Sequence, residues 1–193
     1  MATSKIRIIN AALLLLGKKG CSDITNDSPD YIKNCSALYD EFYPSIFAMD
    51  YNWRFAIKQF SLNKVTNPPK YPNYMYAYEL PSDFGLTYKT DGRIPFEIVG
   101  NLLYCNSPSG ITLYYTGPVS EDLLPEYFKP YIHYYMAALF CMPITERTDL
   151  TISYENKVEK LLFKAIQSDS QTQPSLQFGN LVYASKYAGP ALI

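Results

Sequence analysis

The placement of prolines sets the limits on this fold. A proline lacks a backbone donor and its ring clashes with the preceding turn, so a helix accepts it only near its start. The chain has 14. Asn67-Pro68-Pro69, Tyr71-Pro72-Asn73, Leu80-Pro81-Ser82-Asp83-Phe84 and Ser107-Pro108-Ser109-Gly110 all break regular structure. From about 85 to 117 the sequence therefore reads as short strands: Leu86-Thr87-Tyr88, Phe96-Glu97-Ile98-Val99, Leu102-Leu103-Tyr104 and Ile111–Thr116. Gly100-Asn101 fits a two-residue hairpin turn.

On either side, apolar residues recur at helical spacing. Ile6, Ile9, Ala12, Leu13 and Leu16 form a first stripe, capped by Thr3 or Ser4 and stopped by Gly17 and Gly20. Ser28-Pro29-Asp30 supplies a cap, a first-turn proline and an acid for the positive helix end. Tyr31, Cys35, Leu38, Phe42 and Ile46 come next as a stripe that Pro44 should kink or end. Trp53, Phe55 and Ile57 alternate as an extended segment would, and Trp53 and Phe55 read as core. A third helix carries Phe128, Ile132, Tyr135, Met136 and Leu139, with Pro130 near its start and Pro143 at its close. The last opens near Thr148 and carries Tyr154, Val158, Leu161, Leu162, Ala165 and Ile166. The expected fold class is α+β: an antiparallel helical bundle from the N- and C-terminal helices (1–62 and 121–169), an inserted small antiparallel β region (63–120), and an extended C-terminal tail (170–193). No internal repeat stands out.

Hydrophobic residues make up 48% of the chain, enough for a packed core, and the formal net charge is -1. Without a Lys/Arg block, nothing advertises tight nucleic-acid binding or an anionic membrane surface. Ala11–Leu16 is too short to span a bilayer, and Gly17-Lys18-Lys19-Gly20 is a poor cleavage site, so no export signal is expected. Cys21, Cys35, Cys105 and Cys141 form no CxxC pair and read as reduced thiols. His133 is the single histidine, and no nucleophile, phosphate-loop or zinc motif accompanies it. Asp40-Glu41 and Glu121-Asp122 are sequence neighbours, which point apart on a helix, and Asp83, Asp91 and Glu97 lack calcium-loop spacing. The expectation is a non-enzymatic protein with no catalytic residue, no metal and no cofactor.

Nineteen tyrosines are the unusual quantity. A ring with an apolar face and a polar tip suits surfaces that become buried on assembly. Tyr71, Tyr74, Tyr76, Tyr78, Tyr88 and Tyr104 are the candidates for subunit contacts, against packing within the β region. In the tail, Phe178, Leu181, Val182, Tyr183 and Tyr187 are anchors for docking on a neighbour, with back-packing on the tail's own subunit and disorder as the alternatives.

Several blocks together resemble the tail tubular protein A family of phage head-to-tail adaptors. They are Ile9-Asn10-Ala11-Ala12-Leu13 through Leu16-Gly17; Asn52-Trp53-Arg54-Phe55-Ala56; Tyr78-Glu79-Leu80-Pro81-Ser82-Asp83-Phe84; Leu113-Tyr114-Tyr115-Thr116-Gly117; Leu124-Pro125-Glu126-Tyr127-Phe128; and Met136-Ala137-Ala138-Leu139 with Pro143-Ile144-Thr145. They span about 4 to 169; the longer, Tyr/Pro-rich linker at 67–78 and the tail depart from the pattern. The resemblance implies a homo-oligomeric ring, a dodecamer, that meets the phage portal protein on one face and the tail nozzle (tail tubular protein B) on the other. Genome DNA would pass through the lumen without sequence-specific binding, and no membrane is involved. The location implied is the virion's head-tail interface, with assembly in the host bacterial cytoplasm. Two other readings stay open: a tail-associated glycan-binding protein or cell-wall hydrolase, and a tail-completion connector of a long-tailed phage.

Overall fold

The computed structural model describes residues 4–25, 27–49 and 51–171. Within them lie four α-helices, α1 (Ser4–Leu15), α2 (Asp30–Phe42), α3 (Lys129–Thr145) and α4 (Thr148–Gln171). All the described strands fall between α2 and α3: β1 (Ile57–Ser61), β2 (Asn63–Lys64), β3 (Tyr76–Glu79), β4 (Leu86–Thr90), β5 (Phe96–Val99), β6 (Leu102–Cys105) and β7 (Thr112–Thr116). They form two antiparallel sheets, ordered β1-β7-β4 and β2-β3-β6-β5. The protein is thus mixed α and β, compatible with α+β.

Each helix end has a local cause. Gly17, at φ 69°, ends α1 in a left-handed turn: Lys18 N–H donates to Leu13 O (2.9 Å) and Gly17 N–H to Leu14 O (3.0 Å). Asn10 then holds the next loop through both ends of its amide, donating to Cys21 O (2.7 Å) and accepting from Cys21 N–H (2.9 Å). Ser28 does not cap α2 as expected. Pro29 occupies the cap position, and Ser28 Oγ accepts the Thr25 N–H at 2.9 Å, closing the turn before the helix. Pro44 ends α2 and opens a 3₁₀ segment, Pro44–Ala48. Pro143 does not close α3. The helix runs two residues further and ends at Glu146, whose φ of 54° is left-handed. The proline lacks the N–H for one bond of the ladder, yet the helix continues past it.

Two corrections concern the start of the sheets. Trp53-Phe55-Ile57 is not extended: Arg54–Ala56 makes a 3₁₀ turn, and the strand begins at Ile57 rather than at 63. The stretch 67–78 is not wholly a linker, because β3 opens at Tyr76 and pairs with β6.

Helix α3 packs on α1, α2 and α4. The helical core gathers Ile9, Leu13, Ile32, Phe47, Trp53, Phe128, Ile132 and Met136. A second core lies between the sheets: Leu62, Tyr78, Leu103, Cys105, Ile111, Leu113 and Tyr115. Leu62 is the corner between β1 and β2, its N–H donating to Ile111 O at 2.8 Å, so one chain segment serves both sheets.

Candidate functional site

The six tyrosines proposed for subunit contacts separate by burial. Tyr78 is fully buried (0% exposed) and spends its hydroxyl on Ser107 O (2.9 Å) and Ser109 O (3.0 Å). Tyr104 is buried too, its ring 4.9 Å from that of Tyr71. Both are therefore withdrawn from the contact set: strand alternation points Tyr78 into the β core, and the 67–75 segment covers Tyr104 on the opposite face.

Tyr71 and Tyr74 are half-buried and stack with centroids 6.1 Å apart. Tyr74 donates to Glu97 Oε1 at 3.5 Å. Hydrogen bonding and charge from Glu97 raise the Tyr71 phenol above its ordinary pKa; burial and then the Glu97 charge do so for Tyr74. Tyr76 is half-buried under the Lys64 ammonium, 3.9 Å above its ring. Tyr88 is exposed where β4 shifts register against β7, so its ring leaves the sheet. Phe178, Leu181, Val182, Tyr183 and Tyr187 lie outside the described residues.

Other uncovered apolar side chains were not anticipated. Leu14 is 76% exposed, Met75 75%, and Leu123 and Phe163 70% each, with Ile152 and Phe60 also exposed. Leu14, Ile152 and Phe163 share one signal in the sequence: each is a large apolar residue lying off its helix's buried stripe.

Two carboxylates join the parts of the molecule. Asp83, in the Leu80–Phe84 block, accepts from Lys58 Nζ (2.6 Å) on β1 and from Tyr115 OH (2.7 Å) on β7. Burial pushes the Asp83 carboxyl up, but these two bonds outweigh it and hold the group below the usual carboxylate range. Gly117 lies against this site: a Cβ there would sit 2.6 Å from Asp83 O. Asp169, fully buried near the end of α4, accepts from Tyr51 OH (2.9 Å), Tyr127 OH (2.6 Å) and the Arg54 N–H (3.1 Å). It ties α4 to the turn that leads into β1.

His133 lines a cleft of about 250 Å³ with Ser4, Arg7, Glu121, Asp122 and Lys129. Ser4 Oγ donates to Asp122 Oδ1 at 2.5 Å, and Tyr39 OH to Glu121 at 2.7 Å. Burial and the nearby Lys129 charge lower the His133 pKa, which favours the neutral ring. Among the described residues no group of His, Cys, Asp and Glu is arranged to hold a metal ion. No helix there is long and apolar enough to cross a membrane. No protein-family model matches the chain, and comparison with curated proteins returns no match.

Proposed function

We propose that this chain is a structural virion protein: the ring-forming head-to-tail adaptor that joins a portal to a tail tube and lines part of the DNA channel. In this reading α1 to α4 form an antiparallel bundle, and the β region is a lobe carried on it. The carrying observation is the spread of uncovered large apolar side chains. Leu14 on α1, Met75 and Tyr88 on the β region, Leu123 before α3, and Ile152 and Phe163 on α4 are all exposed. A side chain that gains nothing from water gains by being covered, and uncovered apolar side chains on several elements of one subunit suit a part wedged between copies of itself and other parts. The heterologous contact that repeats around an axis closes a ring when its rotation allows.

The blocks that carry the family resemblance supply further support, because several occupy joints. Asn10 holds the loop after α1, Trp53 is buried where the strands begin, and Asp83 bridges β1 and β7. Charge fits as well: a net charge of -1 leaves little to retain DNA.

The test is co-sedimentation with purified portal rings. Met75→Glu and Phe163→Glu change exposed residues and leave thermal melting intact. At least one of them is expected to lower portal binding or self-association about tenfold or more, as loss of an interface anchor does. Wild-type behaviour of both would oppose the reading.

A second reading rests on the Tyr71–Tyr74 stack beside Glu97, since stacked half-exposed rings next to a carboxylate suit a sugar face. A glycan-binding protein or cell-wall hydrolase would lose binding or turnover in Tyr74→Ala, an outcome the adaptor does not require.

A further inference from the structure

Strand β1 lies at the edge of its sheet, paired among the described residues with β7 alone. Two hydrogen bonds fix its phase: Gly117 N–H to Ala56 O (3.3 Å) and Leu62 N–H to Ile111 O (2.8 Å). Antiparallel pairing alternates, so Lys58 and Phe60 also face β7. Ile57, Gln59 and Ser61 therefore turn their N–H and C=O groups away from it, the Ile57 N–H being taken up by Arg54 O in the turn before the strand. Gln59, Phe60 and Ser61 are exposed. Such an edge is a template for another strand.

The chain after α4 leaves from this place. Asp169 accepts the Arg54 N–H at 3.1 Å, three residues before β1 begins. The sequence beyond α4 has a counterpart within the fold. Ser-Leu-Gln-Phe-Gly-Asn-Leu-Val-Tyr-Ala, residues 175–184, parallels Phe-Glu-Ile-Val-Gly-Asn-Leu-Leu-Tyr-Cys, residues 96–105. The latter is the β5–β6 hairpin, turned by Gly100 at φ 62° and Asn101. In that hairpin the Leu-Leu-Tyr-Cys strand is the inner one, paired on both sides with β3 and β5.

We propose that residues 175–184 dock on the free edge of β1 of their own chain as a hairpin, with Leu181–Ala184 antiparallel to Ile57–Ser61 and Ser175–Phe178 outermost. The connection permits it. Residues 172–174 are a short link, the first strand then runs in the direction of β1, and the Gly179-Asn180 turn brings the second back against it. Tethering decides between this chain and another: a segment anchored a few residues from its site has an effective concentration on the order of mM, which a free second copy must exceed. Docked so, the segment closes an edge on which copies would otherwise pair. The docking is independent of the adaptor reading, because the isolated protein alone suffices to detect it.

Residue-resolved hydrogen exchange on the full-length chain tests it, with Gly179→Val as the comparison. Valine disfavours the positive φ that the proposed turn needs. The amides of Gln59 and Ser61 are expected to exchange about tenfold or more slowly in the wild type than in Gly179→Val, while Ile57, bonded to Arg54 O, and Lys58 and Phe60, bonded to β7, exchange alike in both. Equally fast exchange of the Gln59 and Ser61 amides in the two proteins overturns the proposal. Protection that disappears on dilution assigns the edge to a second copy and overturns own-chain docking as well.

Discussion

Replacing Trp53 by alanine removes the side chain on which the helical core meets the start of the strands. The ring is 1% exposed. It meets Phe128 and Tyr51 edge-on at 4.8 Å each, with Phe55 at 5.8 Å and Tyr131 at 6.2 Å. A buried aromatic cut to alanine costs about 3–5 kcal/mol, from lost transfer energy and the cavity left behind. Each good ring pair adds about 0.5–1.5 kcal/mol. With two close edge-on pairs lost and helices fixed on both sides, the upper half of that range applies, about 4–5 kcal/mol. For a domain of this size that lowers the midpoint of melting by about 8–20 °C. Circular dichroism during thermal and urea unfolding measures it, and Trp53→Phe should lose less because it keeps most of the ring contacts. The wild type offers a second reading: Trp53 is the only tryptophan, so emission should be blue-shifted and poorly quenched by iodide. A loss under about 1 kcal/mol, or emission quenched like that of a free indole, would refute the packing described.

Asp83→Asn should cost about 1–2 kcal/mol at neutral pH, a figure kept low because the Lys58–Asp83 pair is partly solvated. The Asp83 pKa is depressed on folding, so its contribution is complete above the unfolded value of 3.8 and fades as pH falls through the lower folded value. Urea titrations across pH should show the two proteins converging in acid; a gap constant from neutral to strongly acid pH would contradict the assignment. Asp169→Ala strands two hydroxyls and one backbone N–H in a buried place. It should cost about 3–5 kcal/mol and speed exchange of the last turn of α4, since each unsatisfied group costs about 1–3 kcal/mol. Wild-type urea midpoints in that variant would show that Asp169 does not hold α4 in place.

The helices and most strands were legible because their signals are local. The Ile6–Leu13 stripe, Gly17, Pro44, the Gly100-Asn101 turn and the Thr148 start need only near neighbours in sequence. The cap of α2 was misplaced because Ser28 has a competing use in the turn before it. Strands β2 and β3 escaped because they are short and border a Pro/Tyr-rich stretch, and their partners lie far away in sequence. For tyrosine, composition does not fix location: the same residue type is fully buried at 78 and 45% exposed at 88, because an amphipathic ring suits both places. Asp169 read only as the last residue before the extended tail. Its burial depends on Tyr51 and Tyr127, which only the fold brings together.

The proposed adaptor role is tested most directly by electron microscopy of the purified protein mixed with a phage portal protein. Closed rings of this subunit seated on the portal's narrow end are the predicted result. Portals that stay bare while the protein remains dispersed at saturating concentration would contradict it.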